Sequence, residues 1–282
     1  MRRTQAIPRG LALLLACGLV AACAAMPGTS FMSSPPAAAP TTLVTASPAP
    51  ASLGSLDPSA GATSPAAGVT PLRTGCDPCN LPAGTYETSG QWAFLPGLQV
   101  TVPTGWFSDE QDAGEFNLHP VGQPDDSVFF WKDLSATAND LPGTPLAGVS
   151  GTATGLVSWL TSNSDFNVTK PRPTMIGKVP MVMVDVRVSI SAMTPKSADS
   201  DCPADPCVGF LRDMKHWDGP FAIARGDIAR LYFGMIGPAS DLHAFVVEIE
   251  GRGFDMPALD VFTERVGPIL DSVVMPAVIV DY

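Results

Sequence analysis

The sequence predicts an α+β fold: a mainly antiparallel sheet flanked by helices, preceded by a signal peptide and a disordered tether. Three observations carry this. Strand-like runs dominate residues 84–280, among them LQVTVP (98–103) and VPMVMVDVRVSI (179–190). The runs ARLYFGMIG (229–237) and HAFVVEIEG (243–251) are separated only by PASDL, as in an antiparallel pair. Only two segments, one central and one near the end, place apolar residues at helical spacing.

The first element is a leader. Arg2, Arg3 and Arg9 precede an apolar run from Leu11 to Ala22. That run is shorter than the roughly 20 apolar residues needed to cross a bilayer. A basic start, a short apolar stretch and small residues before a cut describe a secretory signal peptide over 1–22. The sequence LVAAC (19–23) resembles the bacterial lipobox, in which an aliphatic residue and two small ones precede a cysteine. The resemblance implies a diacylglyceryl thioether on Cys23, with cleavage just before it. Arg2-Arg3 lacks the apolar pair that a twin-arginine signal carries after it.

Residues 23–70 form the expected tether, almost all Ala, Pro, Ser, Thr and Gly, with Asp57 as the one charge. Such a segment buries too little apolar surface to offset chain entropy, and its prolines exclude regular helix. It reads as a spacer, with Ser and Thr near Pro as candidate glycosylation positions.

The globular domain is expected over 71–282. It carries 26 acidic and 13 basic residues, a balance that works against nucleic acid, whose affinity comes from cations neutralising phosphates. The same sign opposes adsorption to anionic lipid headgroups. Four cysteines follow the leader and anchor: Cys76, Cys79, Cys202 and Cys207. Outside the cytoplasm an even number suggests disulfides. The favoured pairing is Cys202–Cys207 across CPADPC with Cys76–Cys79 in CDPC. A crossed pairing, closing a larger loop, is the rival. CDPC precedes NLPAG, a turn and not a helix, so it lacks the helix N-terminus that activates a redox thiolate.

Within the domain, GTYETSGQWAFL predicts a hairpin of 86–88 with 91–95 around Ser89-Gly90. LQVTVP alternates, with Leu98, Val100 and Val102 on one face, and Gly105-Trp106 follow as a turn. EFNLH and SVFFW are two further strands. GTATGLVSWLTSN (151–163) predicts a helix with Thr152 as N-cap and a stripe of Leu156, Val157, Trp159 and Leu160. TMIGKVPMVMVDVRVSI gives a short strand, a turn at Gly177-Lys178 and a long strand. Its Val182, Val184, Val186 and Val188 face is expected to be buried and its Met183, Asp185 and Arg187 face half wet. CVGFLRD adds a strand. FDMPALDVFTERVGPILDSV predicts a closing helix with Met256, Leu259, Phe262, Val266, Ile269 and Leu270 inward, and with a kink or an end at Pro268. VVMPAVIV is expected as a last strand.

The order of these pieces resembles PsbP-type domains and related bacterial lipoproteins (the LpqN type). LQVTVPTGW resembles their strand, proline and Gly-Trp opening. VSWLTSN falls where they place a helix, IGKVPMVMVDVRV resembles their turn and long strand, and FTERVGPILDSVVM their closing helix. The likeness covers about 95–280 and implies an antiparallel sheet with helices and an accessory or binding role. It supplies no catalytic residues, and the loop 202–207 departs from the simplest members.

No catalytic constellation follows from the spacing. GVSGT (148–152) lacks the second glycine of a nucleophile elbow. DEQDAGE (109–115) fails the calcium-loop spacing, and DSDCPAD (199–205) is solvated charge by default. No phosphate-cradling glycine motif, metal set or cofactor signature is present. Of the three histidines, His119 stands in a strand candidate. His243 opens a strand and reads as a packed core residue. His216, Trp217 and Asp218 in MKHWDGP are the residues that could line a pocket. The sequence thus leads to an extracytoplasmic, lipid-anchored binding domain for a small molecule or an envelope protein. An extracytoplasmic hydrolase and a structural envelope component are the alternatives.

Overall fold

In the computed structural model, the described residues are 68–72, 79–89, 94–108, 113–123, 125–138, 144–189, 207–213, 221–239, 242–251 and 253–276. The chain divides into two units, Met1–Pro58 and Ser59–Tyr282, and every described residue belongs to the second. Its strands are β1 (Val69–Leu72), β2 (Cys79–Leu81), β3 (Gly84–Thr88), β4 (Gln99–Val102), β5 (Trp106–Ser108), β6 (Glu115–Pro120), β7 (Asp126–Lys132) and β8 (Leu134–Ala136). Helix α1 (Ala153–Ser162) follows, then β9 (Phe166–Val168), β10 (Arg172–Ile176), β11 (Val179–Val188) and β12 (Cys207–Asp213). The chain continues through β13 (Phe221–Ala224), β14 (Ile228–Ile236), β15 (His243–Gly251) and helix α2 (Met256–Asp271).

The main sheet runs in the order β10-β11-β14-β15-β7-β6-β5-β2, with β9 also paired to β11. All its pairings are antiparallel. Two three-stranded sheets, β1-β3-β4 and β13-β12-β8, lie beside it. The expected mainly antiparallel sheet with two helices is therefore present. The centre, β11-β14-β15-β7, is made of the β-branched and aromatic runs that favour a pleated, doubly covered surface.

Each face of the sheet has its own apolar core. On one, Phe116, Val128, Phe130, Phe245, Val247 and Ile249 pack with Leu259, Phe262, Val266 and Ile269 of α2. On the other, Val184, Val186, Leu231, Phe233 and Val246 pack with Leu156, Val157 and Leu160 of α1. Thr152 caps α1 as expected, its hydroxyl accepting from Gly155 N. Asp255 caps α2 in the same way, accepting from Ala258 N.

Several expectations change. The sequence places the end of the tether at residue 70, but Val69 and Thr70 already belong to β1, which pairs in parallel with β3. Val69 is β-branched and Leu72 is buried, so this end of the tether has a ladder to join. The partner of β3 is β4 and not 91–95. Residues 94–97 instead make a tight connection: the Thr88 hydroxyl donates to Leu95 O, and Gly97 N to Thr88 O. Gly105 does turn, but Trp106 opens a strand. Helix α2 continues through Pro268, held beyond it by buried Ile269 and Leu270. Of the last strand only Val274 is seen bridged, to Gln99, and residues 277–282 lie outside the described set.

On the face of β11 expected to be half wet, Arg187 is exposed and Met183 half-buried, but Asp185 is buried. Asp185 is only 2 % exposed and stands in register with Arg230 of β14. Arg230 Nε donates to Asp185 Oδ1 at 2.6 Å, Nη2 to Asp260 Oδ1 at 2.8 Å, and Nη1 to Thr263 Oγ1 at 3.1 Å. Burial works against its charge, but the hydrogen bonds to Asp185 and Asp260 outweigh that and raise its pKa. Arg172 adds a longer contact to Asp185 at 3.4 Å.

Removing the guanidinium leaves Asp185 buried beside only the exposed Arg172. Arg230→Met is expected to cost about 3–5 kcal/mol of stability, while Asp260→Asn, at an exposed partner, costs about 1 kcal/mol or less. Urea titrations of the two variants measure both. A second expectation concerns Gly177, at φ +52, where a Cβ would lie 1.9 Å from Val273 O. Gly177→Ala should lower the melting temperature by several degrees, about 2 kcal/mol or more in stability.

Candidate functional site: a carboxyl and aromatic face

Three neighbouring strands carry polar and aromatic side chains at alternate positions, all on the face of the sheet that α1 packs against. They are Glu115, Asn117 and His119 on β6, Ser127, Phe129 and Trp131 on β7, and Glu248 and Glu250 on β15. The register sets them in rows. Asn117, Phe129 and Glu248 form one, Glu115, Trp131 and Val246 the next, and Ser127 stands opposite Glu250. The alternate residues of the same strands, Phe116, Leu118, Val128, Phe130, Val247 and Ile249, build the core under α2. Period two thus gives one strand a greasy face and a chemical face.

The rings on this face touch in sequence. Phe107 of β5 stacks on His119 at 5.1 Å, and His119 meets Phe129 edge-on at 6.0 Å. Phe129 stacks on Trp131 at 5.0 Å, and Trp131 meets Phe221 of β13 at 3.9 Å. His119 Nδ1 lies 3.2 Å from Asp126 O.

Glu248 stands beside this ladder, 5 % exposed. Its Oε2 accepts from Trp131 Nε1 at 3.2 Å, and among the described residues Oε1 takes no hydrogen bond. Glu250, two residues on and on the same face, accepts from the Ser127 hydroxyl at 3.3 Å. Burial, and then the charge of Glu250, push the Glu248 carboxyl well above the usual range, against the opposing indole hydrogen bond. Burial and the neighbouring charge thus favour the protonated form of Glu248, while Glu250 sits in a wetter place. Two carboxyls held in unlike environments can donate and accept within one site.

A second polar pair stands at the start of β15. His243 Nδ1 lies 2.8 Å from Asp133 Oδ1, and Asp133 takes a left-handed backbone at φ +57. His243 is buried, as the sequence predicted, and makes a specific polar contact there.

The expected pocket residues His216, Trp217 and Asp218 lie outside the described residues, as do Cys23, Cys76, Cys202 and the side chain of Cys79. Cys207 begins β12, is buried and is disulfide-bonded. Among the described residues no cluster of His, Cys, Asp and Glu is arranged to hold a metal ion. No helix among them is long and apolar enough to cross a membrane. The face itself was missed in the sequence. Its signal was the coincidence of polar or aromatic residues at i, i+2 in EFNLH, SVFFW and VVEIE.

No family model matches the chain, and no curated protein matches it by sequence. Among solved structures it is similar to cyanobacterial PsbP (CyanoP) from Synechocystis sp. PCC 6803, at 7 % identity and a TM-score of 0.32, over 64 % of this chain and 86 % of that one. A protein from Bacteroides thetaiotaomicron is similar at 9 % identity and a TM-score of 0.31, over 70 % of this chain. The chain spans about half the length of that protein, 49 %.

The raised Glu248 carboxyl has a consequence for stability. Its folded pKa lies above its unfolded value, so its contribution is fully present below the unfolded pKa, near 4.3. It is lost as pH rises through the folded pKa. Glu248→Gln keeps the acceptor for Trp131 and removes that loss. The variant is expected to melt at least about 2 °C higher than the native chain at pH 8, with the gap closing toward pH 4. Calorimetry at the two pH values measures it.

Proposed function

We propose that the chain is a lipid-anchored extracytoplasmic binding domain, with the carboxyl and aromatic face of β6, β7 and β15 as its ligand seat. The observation that carries the reading is Glu248: a nearly buried carboxyl, with an oxygen left over, set against a ladder of rings. A site that serves packing alone has little use for an acid there, because burying it costs stability. Ligand sites combine apolar and aromatic lining with a few placed polar groups, and this face has that composition.

The address rests on the leader. Cys23 after Val20-Ala21-Ala22 supports acylation, and the Ala/Pro spacer supports a head held away from the bilayer. Two acyl chains give firm membrane residence, each buried methylene contributing about 0.8 kcal/mol. The succession LQVTVPTGW, VSWLTSN and FTERVGPILDSVVM supports a PsbP-like lipoprotein with an accessory role. The reading of the seat predicts that Trp131→Ala abolishes ligand-induced thermal shifts found in a screen of envelope metabolites, without loss of fold. Shifts that persist unchanged in the variant exclude this face. For the anchor, Cys23→Ser should move the protein from the membrane to the soluble fraction by roughly tenfold or more, and mass spectrometry of the native N-terminus should find a diacylglyceryl cysteine.

One observation favours a second reading, as a hydrolase. A buried His243 oriented by Asp133 has the form of a base and its positioning carboxylate. Loss of a detected hydrolytic activity in His243→Gln, with binding at the β6-β7-β15 face intact, would select it.

A further inference from the structure

One edge of the main sheet carries a charge opposite to that of the domain. We propose that this edge, the line of β9, β10 and β11 with Lys170, Arg172, Lys178 and Arg187, docks on the anionic headgroups of the bilayer that holds the anchor. This rests on the reading of Cys23 as acylated and adds the face that the domain turns to the membrane.

Over 71–282 the chain has 26 acidic and 13 basic residues. Residues 166–188 reverse that balance, with Lys170, Arg172, Lys178 and Arg187 all exposed and Asp185 as their only acid. Asp185 is buried, and it shares Arg230 with Asp260 of α2. Arg172 also reaches Asp185 at 3.4 Å, yet 56 % of its side chain stays exposed. Asp165 and Asp271 stand at the two ends of the line, beside Ser189 and the Gly177 turn. From Lys178 to Arg187 the edge runs about 30 Å at about 3.3 Å per residue. An anionic leaflet attracts this line and repels the acidic remainder, so the two forces act together to orient the domain.

The backbone of the edge excludes another kind of partner. Strand β10 pairs with β11 alone, and Ile176 pairs with Val179 across a two-residue turn. Pro173 and Met175 therefore direct their backbone groups outward. Proline has no N–H, so Met175 offers the one outward donor of β10. Such an edge refuses an added strand, from a peptide or from a second copy of the chain. What it presents instead is side chains: cations around the exposed Pro173, Pro180 and Met175, the last 53 % exposed. Cations interleaved with apolar groups suit the boundary between headgroups and acyl chains.

The path of the chain names the bilayer as the occupant. The tether enters the domain at β1. A row of paired residues crosses from there: Pro71 with Glu87, Glu87 with Gln99, and Gln99 with Val274. Three lateral steps of about 4.8 Å make about 14 Å. At the end of that row Val273 O faces Gly177, 1.9 Å from where a Cβ would stand, and Gly177 N donates to Leu270 O. The β10–β11 turn with Lys178 thus lies a few strand widths from the tether's entry, and an anchor acting through β1 holds this part of the domain toward the membrane.

The test uses the full acylated chain in phosphatidylcholine vesicles with and without phosphatidylglycerol. Acetylation of Lys170 and Lys178 by an N-hydroxysuccinimide ester and oxidation of Met175 by peroxide report the edge without any substitution. On anionic vesicles all three should react about fivefold more slowly than on neutral ones, and high salt should restore the lysine rates. The double variant Lys170→Glu, Lys178→Glu changes two exposed positions; it should keep its melting temperature and lose the protection of Met175. If it fails to fold, the lipid comparison and the salt series on the native chain decide alone. Equal rates on the two kinds of vesicle overturn the assignment. If soluble polyglutamate protects the three positions as well as anionic vesicles do, the partner is an acidic protein segment and the membrane assignment fails. If the native chain carries no acyl group, the anchor reading fails by itself. The unacylated chain with excess anionic vesicles then decides: protection of the three positions upholds the edge, and its absence overturns it.

Discussion

A guanidinium buried between two antiparallel strands ties the sheet to its closing helix. Arg230 and Asp185 are directly opposed on β14 and β11, and the same guanidinium reaches Asp260 and Thr263 on α2. A bidentate contact to Asp185 at 2.6 and 3.3 Å fixes the plane of the group. Ion pairs in such places add little net stability over a well-packed apolar pair, but breaking one partner is costly. Their value is positional. A one-residue slip of β11 against β14 would bring Asp185 to the α1 side among valines and leave Arg230 without its partner. Register here propagates to β15, which pairs with β14 over its whole length, and from β15 to β7 and β6. Tyr232, two residues from Arg230 on the same face, is pushed up to about 12 by burial, so it stays neutral beside the network.

Much of this architecture was legible in the sequence, and the reasons are local. The β10–β11 turn at Gly177-Lys178, the β14–β15 hairpin and the Thr152 cap all depend on neighbouring residues, whose chemistry a sequence displays. The failures are tertiary. Nothing in GTYETSGQWAFL says that β3 prefers β4 to residues 91–95; that choice is made by Leu98, Val100 and Val102 finding the core under α2. Asp185 is buried on a face that is otherwise half wet because it pairs with Arg230 of β14, a tertiary partner that alternation within β11 cannot report. Pro268 looked like a breaker because its cost is local, whereas the burial of Ile269 and Leu270 that offsets it is not.

The carboxyl and aromatic face escaped for the same reason. Each of EFNLH, SVFFW and VVEIE alone is an ordinary strand with some polar positions. Only the sheet order β15-β7-β6 brings their chemical faces side by side. Motifs such as MKHWDGP and CDPC run along the chain, while this arrangement runs across it.

The position of that face follows from the dimensions of the covering helix. Eight strands in a path span roughly 34 Å at about 4.8 Å per step, while the ten residues of α1 make a rod of about 15 Å. Such a rod covers about three strands, and α1 packs on β14 and β9 and touches β11, β15 and β8 at its margin. The cluster under α1 takes in Val182, Val184, Val186, Leu231 and Phe233 together with Trp131 and Phe129, and Glu248 and Glu250 follow on the same face of β15. On the opposite face the sixteen residues of α2, about 24 Å long, reach from β10 to β15 and β4, and Phe116, Leu118, Val128 and Phe130 of β6 and β7 join the core there. The polar residues collect on the α1 side, and Glu115, Asn117, His119, Ser127 and Glu248 are buried there. A buried acid at that position lowers stability at neutral pH, and departures of this kind from packing logic concentrate where a protein meets its ligand.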